Sequence, residues 1–511
     1  MKEIKTEPRD YQKSIFETAK NKNTLVVLPT GLGKTLIALM LAVHRLKEHP
    51  GSKVLVAAPT RPLVEQHMKS FAKELPGLFA DLQIFTGSVN PKKRTELFER
   101  ADVIFSTPQC IANDLKKGLY SLQEVSLLVI DEAHRCLKNY DYTSVVNFYK
   151  NQAGQRRILG LTASPGSDQS KIKEICKHLD IEEIEIKSRD SADVRPYLQE
   201  REFQKVEVPF PAEFIEIKIL LKRIYDSSID QLRKRGLFFG PDNKITLVKL
   251  QARLAGQAAQ KNFNVLIGMS ICAQALKIAH ALELLETQTL TGLNEYMNGL
   301  IEQAKAKKSR AVQQLVKSGE FNAAKISVVN LLSKKVEHPK IEELAVLVEK
   351  QFKENEKSKL IVFSQFRDSA VVIKNRLSLI DKVKAEIFVG QAKKGGTGLT
   401  QKEQKLLLDK FRVGEINLLC ATSIGEEGLD IPEVSAVIFY EPIPSAIRKI
   451  QREGRTARLA PGKLIILVTK NTRDEIYHYA SAARERKMYK DLESVRDDIK
   501  KKGKTLRDFK I

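Results

Sequence analysis

Pro29-Thr30-Gly31-Leu32-Gly33-Lys34-Thr35 stands between two apolar runs, Leu25-Val-Val-Leu and Leu36-Ile-Ala-Leu-Met. Glycines at this spacing let successive backbone N–H groups turn toward a phosphate chain, and the N-terminus of a following helix adds positive potential. Thr30, Gly31 and Gly33 would form the cradle, Lys34 would reach the β- and γ-phosphates of a bound ATP, and the Thr35 hydroxyl would ligate Mg²⁺. The strict G-x-x-x-x-G-K-T loop fails at its first position, where Leu28 stands, but the shorter P-T-G-x-G-K-T form fits. Asp131-Glu132-Ala-His follows Leu127-Leu-Val-Ile. A carboxylate at the C-terminal end of a buried parallel strand points into the crevice where such sheets bind ligands. Asp131 would hold Mg²⁺ partly through water, and Glu132 would orient and deprotonate an attacking water. Near the start, Arg9-Asp-Tyr11-Gln12 offers an aromatic face and an amide to an adenine ring. Far downstream, Gln451-Arg-Glu-Gly-Arg455-Thr-Ala-Arg458 puts two arginines on one face if the segment is helical. Arginines so placed neutralise charge on a γ-phosphoryl in transfer.

These residues need strands that end where the motifs begin. Short β-branched runs supply them: Leu25–Leu28, Val54–Ala58, Val103–Ser106, Leu127–Ile130 and Ile158–Leu161, then Leu360–Phe363, Ala385–Val389, Leu418–Ala421, Ala436–Tyr440 and Leu464–Val468. Near-continuous apolar runs suit strands buried on both faces of a parallel sheet, and their alternation with amphipathic helices predicts two α/β domains of doubly wound type. From about Glu207 to Lys340 the rhythm changes. Phe214, Ile217, Leu221 and Ile224 recur at helical spacing, as do Ile271, Ala275, Ile278, Leu282 and Leu285, and no proline occurs between Pro241 and Pro339. This predicts a helical insertion; it carries 20 Lys+Arg against 12 Asp+Glu and is therefore basic. The boundaries fall at 1–205 for the first domain, 206–340 for the insertion, 341–485 for the second domain and 486–511 for a charged C-terminal helix and tail.

The chain has 511 residues and a formal net charge of +23, so a polyanionic partner fits its electrostatics. Its five cysteines lie far apart with no Cys-x-x-Cys pair, which argues against zinc and against a disulfide framework. No apolar run reaches the roughly 18 residues of a membrane span, and the first residues lack the apolar segment of a signal peptide. The expectation is a soluble, cytoplasmic protein associated with the nucleoid.

The ordered series Pro29-Thr-Gly-Leu-Gly-Lys-Thr, Pro59-Thr-Arg, Ser106-Thr-Pro-Gln, Asp131-Glu-Ala-His, Thr162-Ala-Ser, Val362-Phe-Ser-Gln, Ala421-Thr-Ser-Ile-Gly-Glu-Glu-Gly-Leu-Asp and Gln451-Arg-Glu-Gly-Arg-Thr-Ala-Arg resembles a superfamily 2 helicase of the DEAH-box kind across roughly residues 5–480. With the insertion, and with Tyr440-Glu-Pro-Ile-Pro-Ser, it looks like the archaeal Hef helicase and its eukaryotic relative FANCM. The resemblance implies two RecA-like domains and an ATP-driven motor on branched DNA, particularly stalled forks and junctions, in DNA repair and fork restart. It implies that Gln12 reads adenine and Asp430 meets the ribose. Gln451, Arg455 and Arg458 would then approach the γ-phosphate from the second half, and Thr162 and Ser164 would couple hydrolysis to closure. Arg61, Thr107, Ser364, Gln391 and Thr422 match family positions along the strand channel, and Arg233, Lys234 and Arg235 are candidate phosphate contacts on the insertion. Dicer and the RIG-I-like RNA sensors share the insertion, so an RNA-directed ATPase is an alternative. A nucleotide-gated clamp that recruits a separate nuclease is another.

Archaeal Hef proteins commonly carry an XPF-type nuclease marked by E-R-K-x-x-x-D, and Glu485-Arg-Lys-Met-Tyr-Lys-Asp491 matches it letter for letter. The surroundings read as one charged helix with 20 residues after Asp491, too few for the sheet such a nuclease needs. The expectation is therefore a helicase part without that nuclease, working with a separate structure-specific nuclease and a sliding clamp.

Overall fold

Each of the ten runs expected to form strands does so. The computed structural model describes residues 4–76, 79–138, 140–257, 262–391, 398–422, 431–456 and 461–508, the side chains of 502–508 excepted. The first domain holds strands β1 (Thr24–Val27), β2 (Lys53–Ala57), β3 (Leu82–Phe85), β4 (Val103–Ser106), β5 (Val125–Asp131), β6 (Ile158–Thr162) and β7 (Glu183–Ile186). Helices α1 (Asp10–Asn21), α2 (Lys34–Glu48), α3 (Arg61–Glu74), α4 (Pro91–Arg100), α5 (Pro108–Lys116), α6 (Asp141–Gln152) and α7 (Gln169–His178) cover its two faces. All pairings are parallel, in the order β3-β4-β2-β5-β6-β1-β7. The inner strands β1, β2, β4, β5 and β6 are buried along their whole length, which is why continuous apolar runs encode them.

The second sheet runs β10-β11-β9-β12-β13-β8, again all parallel. Its strands are β8 (Arg201–Val208), β9 (Leu360–Phe363), β10 (Ala385–Phe388), β11 (Leu418–Ala421), β12 (Ala436–Phe439) and β13 (Gly462–Thr469). Here the domain boundary is corrected. The cut expected at 205/206 passes through β8, which pairs with β13 along eight residues and so belongs to the second sheet. The chain enters the second domain, leaves through the insertion and returns.

The insertion is a bundle of α8 (Ile215–Lys234), α9 (Lys244–Gln257), α10 (Phe263–Thr287), α11 (Leu290–Lys305), α12 (Arg310–Lys317) and α13 (Gly319–Ser333) around one apolar core. By length and apolarity α10 would suffice for a membrane span, yet it is the bundle's central helix, packed on α8, α9, α11 and α12. Helices α14 (Lys340–Glu354), α15 (Arg367–Leu377), α16 (Gln401–Val413) and α17 (Ala446–Glu453) complete the second domain. The last helix, α18 (Arg473–Asp508), begins well before the expected boundary at 485/486.

A fully buried ammonium locks the insertion to the second domain. Lys340 Nζ donates to Thr287 O at 2.7 Å, to Tyr440 O at 3.1 Å and to Asp474 Oδ2 at 2.6 Å. One side chain thus ties the end of α10, the end of β12 and the start of α18. Removing one partner of such a pair leaves a buried charge unmatched, which costs about 3–5 kcal/mol, whereas replacing both by apolar groups is far milder. Lys340→Met should therefore lower the first denaturant midpoint markedly, and the Lys340→Met/Asp474→Leu pair should recover most of the loss.

Candidate functional site

The phosphate loop leaves β1, Asp131 closes β5, and Thr162 closes β6. These strands lie side by side in the sheet, so three motifs distant in sequence meet at one edge. Gly31 and Gly33 take φ of 84° and 77°, the left-handed region that favours glycine, and α2 starts directly after them. Gly33 has a second constraint, since a Cβ there would lie 2.3 Å from Gln12 Nε2. Gln12 is buried, accepts from Arg9 N–H at 2.9 Å and donates to Leu32 O at 3.1 Å, while the Tyr11 hydroxyl donates to the same carbonyl at 2.8 Å. In this conformation the Gln12 amide braces the phosphate loop. Lys34 Nζ folds back onto Leu28 O at 2.8 Å and Pro29 O at 3.3 Å.

Asp131 is held from two sides. The Tyr142 hydroxyl donates to its backbone carbonyl at 2.8 Å, and His67 Nε2 lies 2.8 Å from Oδ2. Burial alone would raise the Asp131 carboxyl, but the His67 imidazole and the Lys34 charge outweigh it and hold it below the usual carboxylate range. His67 sits on α3 and carries no signal in the sequence, because a lone histidine on a helix becomes meaningful only when the helix packs beside β5.

Glu132 takes φ 51° and ψ 49°, a left-handed conformation uncommon for a residue with a Cβ and of the kind found at functional sites. Its Oε2 lies 3.3 Å from His134 Nδ1, which in turn lies 3.2 Å from Thr162 Oγ1. Thr162 Oγ1 also accepts from Ser164 N–H at 3.1 Å. His134, passed over in the sequence, therefore stands between the expected general base and the expected coupling residues, hydrogen-bonded to Thr162 and within ion-pair distance of Glu132. Glu132→Gln keeps this shape and removes the base. The variant should accumulate with ATP bound and hold DNA more tightly in ATP than without it; equal affinity in both conditions would contradict the assignment.

The second domain reaches this edge through α17. Gly454 ends that helix against the phosphate loop so closely that a Cβ would fall 1.4 Å from Thr30 Oγ1. Arg455 therefore lies past the helix end, not on its face as the spacing suggested, and is 9% exposed. Gln451 is buried, and the neighbouring Arg452 guanidinium sits 4.7 Å from the Phe363 ring centre. A cavity of about 330 Å³, lined by Pro29, Thr30, Arg189, Arg201, Glu453 and Gly454 among others, lies where loop and helix meet. Asp430 and Arg458 fall outside the described residues.

The expected strand-channel residues divide. Arg61 and Thr107 stand at the N-termini of α3 and α5, beyond the adjacent strands β2 and β4. Arg61 is exposed and bonds Glu65 at 2.8 Å. In the second domain Ser364 and Thr422 follow the adjacent strands β9 and β11 and are 1% and 5% exposed, while Gln391 is exposed. Arg233, Lys234 and Arg235 are exposed at the C-terminal end of α8, where positive charge also suits the helix dipole. Arg233 lies 3.9 Å from Asp230, and Arg235 donates to Asn264 Oδ1 at 3.1 Å. The nuclease-like string is helical throughout, with Glu485 paired to Lys449 at 2.7 Å and Met488 buried. Among the described residues no group of three or more His, Cys, Asp or Glu could hold a metal ion.

Family models match the three parts in turn: the DEAD/DEAH box helicase at residues 9–172, the helical bundle of ATP-dependent RNA helicases at 213–338, and the helicase conserved C-terminal domain at 339–460. The solved Hef helicase domain of Pyrococcus furiosus superposes with a TM-score of 0.70 and 44% identity, covering 93% of this chain and 98% of that one. The chain belongs to the Hef/FANCM family of helicases. Curated relatives agree. A Methanocaldococcus jannaschii protein named as an ATP-dependent RNA helicase is 37% identical over 96% of this chain. The ATP-dependent DNA helicase mph1 of Neurospora crassa is 32% identical over 92%, and the Arabidopsis thaliana DEAD-box ATP-dependent RNA helicase FANCM is 34% identical over 92%. The chain spans 61%, 42% and 35% of those three proteins.

Proposed function

We propose that the chain is an ATP-driven motor that translocates on and unwinds branched DNA, such as stalled forks and junctions, in repair and fork restart. The observation that carries this reading is the meeting of Lys34, Asp131, Glu132 and Thr162 at the ends of adjacent strands, with Gly454 of the other half pressed on the phosphate loop.

The loop fits a nucleotide's phosphates. Thr30 Oγ1 is buried without a hydrogen-bond partner among the described residues, two glycines turn the backbone, and α2 presents its N-terminus. Thr35 and the ionised Asp131 would hold Mg²⁺, which when bound neutralises charge on the β- and γ-phosphate oxygens. Lys34 would exchange its two carbonyls for phosphate oxygens. Glu132 would take the proton of the attacking water, and His134 would keep its carboxylate in line. Arg455, and Arg458 with it, would stabilise charge as the γ-phosphoryl leaves. Gln12 and Asp430 would bind the adenosine, Gln12 turning from Leu32 O to do so.

The net charge of +23 supports a nucleic-acid track. The DNA reading rests on likeness to the Hef helicase domain and to mph1, a DNA helicase by name. Arg61 and Thr107 on one half, with Ser364, Gln391 and Thr422 on the other, would line that track. The motor would act on chromosomal DNA inside the cell, beside a structure-specific nuclease and a sliding clamp.

The insertion would supply branch selectivity. Its charges at Arg233, Lys234 and Arg235 lie at the end of α8 remote from the Lys340 lock, where a duplex arm leaving a junction would pass. Neutralising all three should weaken fork binding and flatten its salt dependence, by up to about three units of the log–log slope if each meets a phosphate. ATPase stimulated by single strands should persist. In a competition titration the triple variant should lose its preference for forks over linear duplex; an unchanged preference would place selectivity elsewhere.

A further inference from the structure

Helix α18 is a second bridge between the two halves. It starts on the second domain at the Asp474 lock and ion-pairs with α17 through Glu485. It then docks on the first domain. Met488, Leu492 and Val495 are buried in the first domain's core with Ile172 and Ile175 of α7. Polar contacts flank them: Gln169 Nε2 donates to Ser494 Oγ at 3.1 Å, Lys173 pairs with Asp498 at 2.9 Å, and Lys500 lies 3.3 Å from Glu183.

The docked face touches the hydrolytic site through one side chain. Ser164 Oγ donates to Met488 Sδ at 2.9 Å, both residues being buried. Behind Ser164 hydrogen bonds of 3.1 and 3.2 Å run through Thr162 to His134, and Glu132 Oε2 stands at ion-pair distance, 3.3 Å, from the same His134 nitrogen. A thioether is a weak but directional acceptor that also fills space, so this contact fixes the Ser164 rotamer and the turn carrying it.

We propose that Met488 is a positioning residue for hydrolysis: through Ser164 it sets the Thr162–His134–Glu132 array, and α18 transmits movement of the second domain on its nucleic-acid track to that array. A closing cleft and α18 would then be two independent routes between track and general base. The assignment rests on the ATP-driven motor reading above.

The test is a double-mutant cycle on the full chain. Met488→Leu keeps an apolar side chain of similar volume and loses the acceptor; Ser164→Ala loses the donor. Each should lower the DNA-stimulated kcat about fivefold, the scale of one buried hydrogen bond. The ATP KM should move less than about twofold, and the melting temperature of Met488→Leu should match wild type. The double variant should be no slower than the singles, since both remove one contact. Met488→Leu with wild-type stimulation, or losses that multiply in the double variant, would overturn the proposal. Wild-type protein without nucleic-acid-stimulated hydrolysis would defeat the motor reading and this proposal together.

Discussion

Lys34→Ala is expected to abolish ATP turnover, with a loss on the order of a thousandfold, while DNA binding without nucleotide should largely survive. The scale is that of removing one preorganised donor from developing negative charge, or more, because Lys34 carries a full charge. The loop itself should stay folded. Its shape is set by Gly31, Gly33 and the Gln12 and Tyr11 contacts to Leu32 O, none of which involves Lys34. The ammonium's present partners, the carbonyls of Leu28 and Pro29, lie beside a loop that water can reach. Turnover and DNA affinity measured on the same preparation decide the matter. Substantial remaining hydrolysis would mean that another site holds the phosphates.

Arg455→Ala should slow hydrolysis by about a thousandfold or more with a smaller change in ATP affinity. Arg455 belongs to the second domain and follows Gly454, which lies against Thr30, so its charge would be delivered when the halves close. A group supplied in this way acts on the transition state more than on the bound substrate. Arg455→Lys should restore little, since an ammonium does not reproduce the planar fork of a guanidinium. The same pattern is expected of Arg458→Ala. A normal kcat in these variants, with melting temperatures unchanged, would remove both residues from the site.

The sequence was most legible where burial is symmetric. Strands such as Val103–Ser106 and Leu127–Ile130 are apolar throughout because both faces are covered, and each was found. The strands that escaped, β3, β7 and β8, are all sheet edges. An edge strand needs no continuous apolar run: Arg201–Val208 carries four charged residues among its eight and still pairs along its length. Missing β8 displaced the domain boundary.

The site divides in a similar way. Lys34, Asp131 and Glu132 are announced by local motifs, since backbone turns and strand ends are encoded nearby. His67 and Met488 are not, because their importance arises from packing between elements 64 and 324 residues apart in sequence. Ser364 and Thr422 are legible only through motif likeness, and their burial is a property of how β9 and β11 are covered. The helix expected to carry Arg455 ends two residues before it, at Glu453, with Gly454 making the close approach to Thr30.

The central claim is that ATP hydrolysis drives movement on branched DNA. The measurement that tests it most directly is ATP-dependent strand displacement by wild-type protein on a fork, a Holliday junction, a linear duplex and a duplex RNA, with turnover recorded on each. The account predicts displacement of the branched DNA substrates, the highest turnover on them, and no displacement by Lys34→Ala. Equal or greater activity on duplex RNA, or tight fork binding with turnover but no displacement, would contradict it.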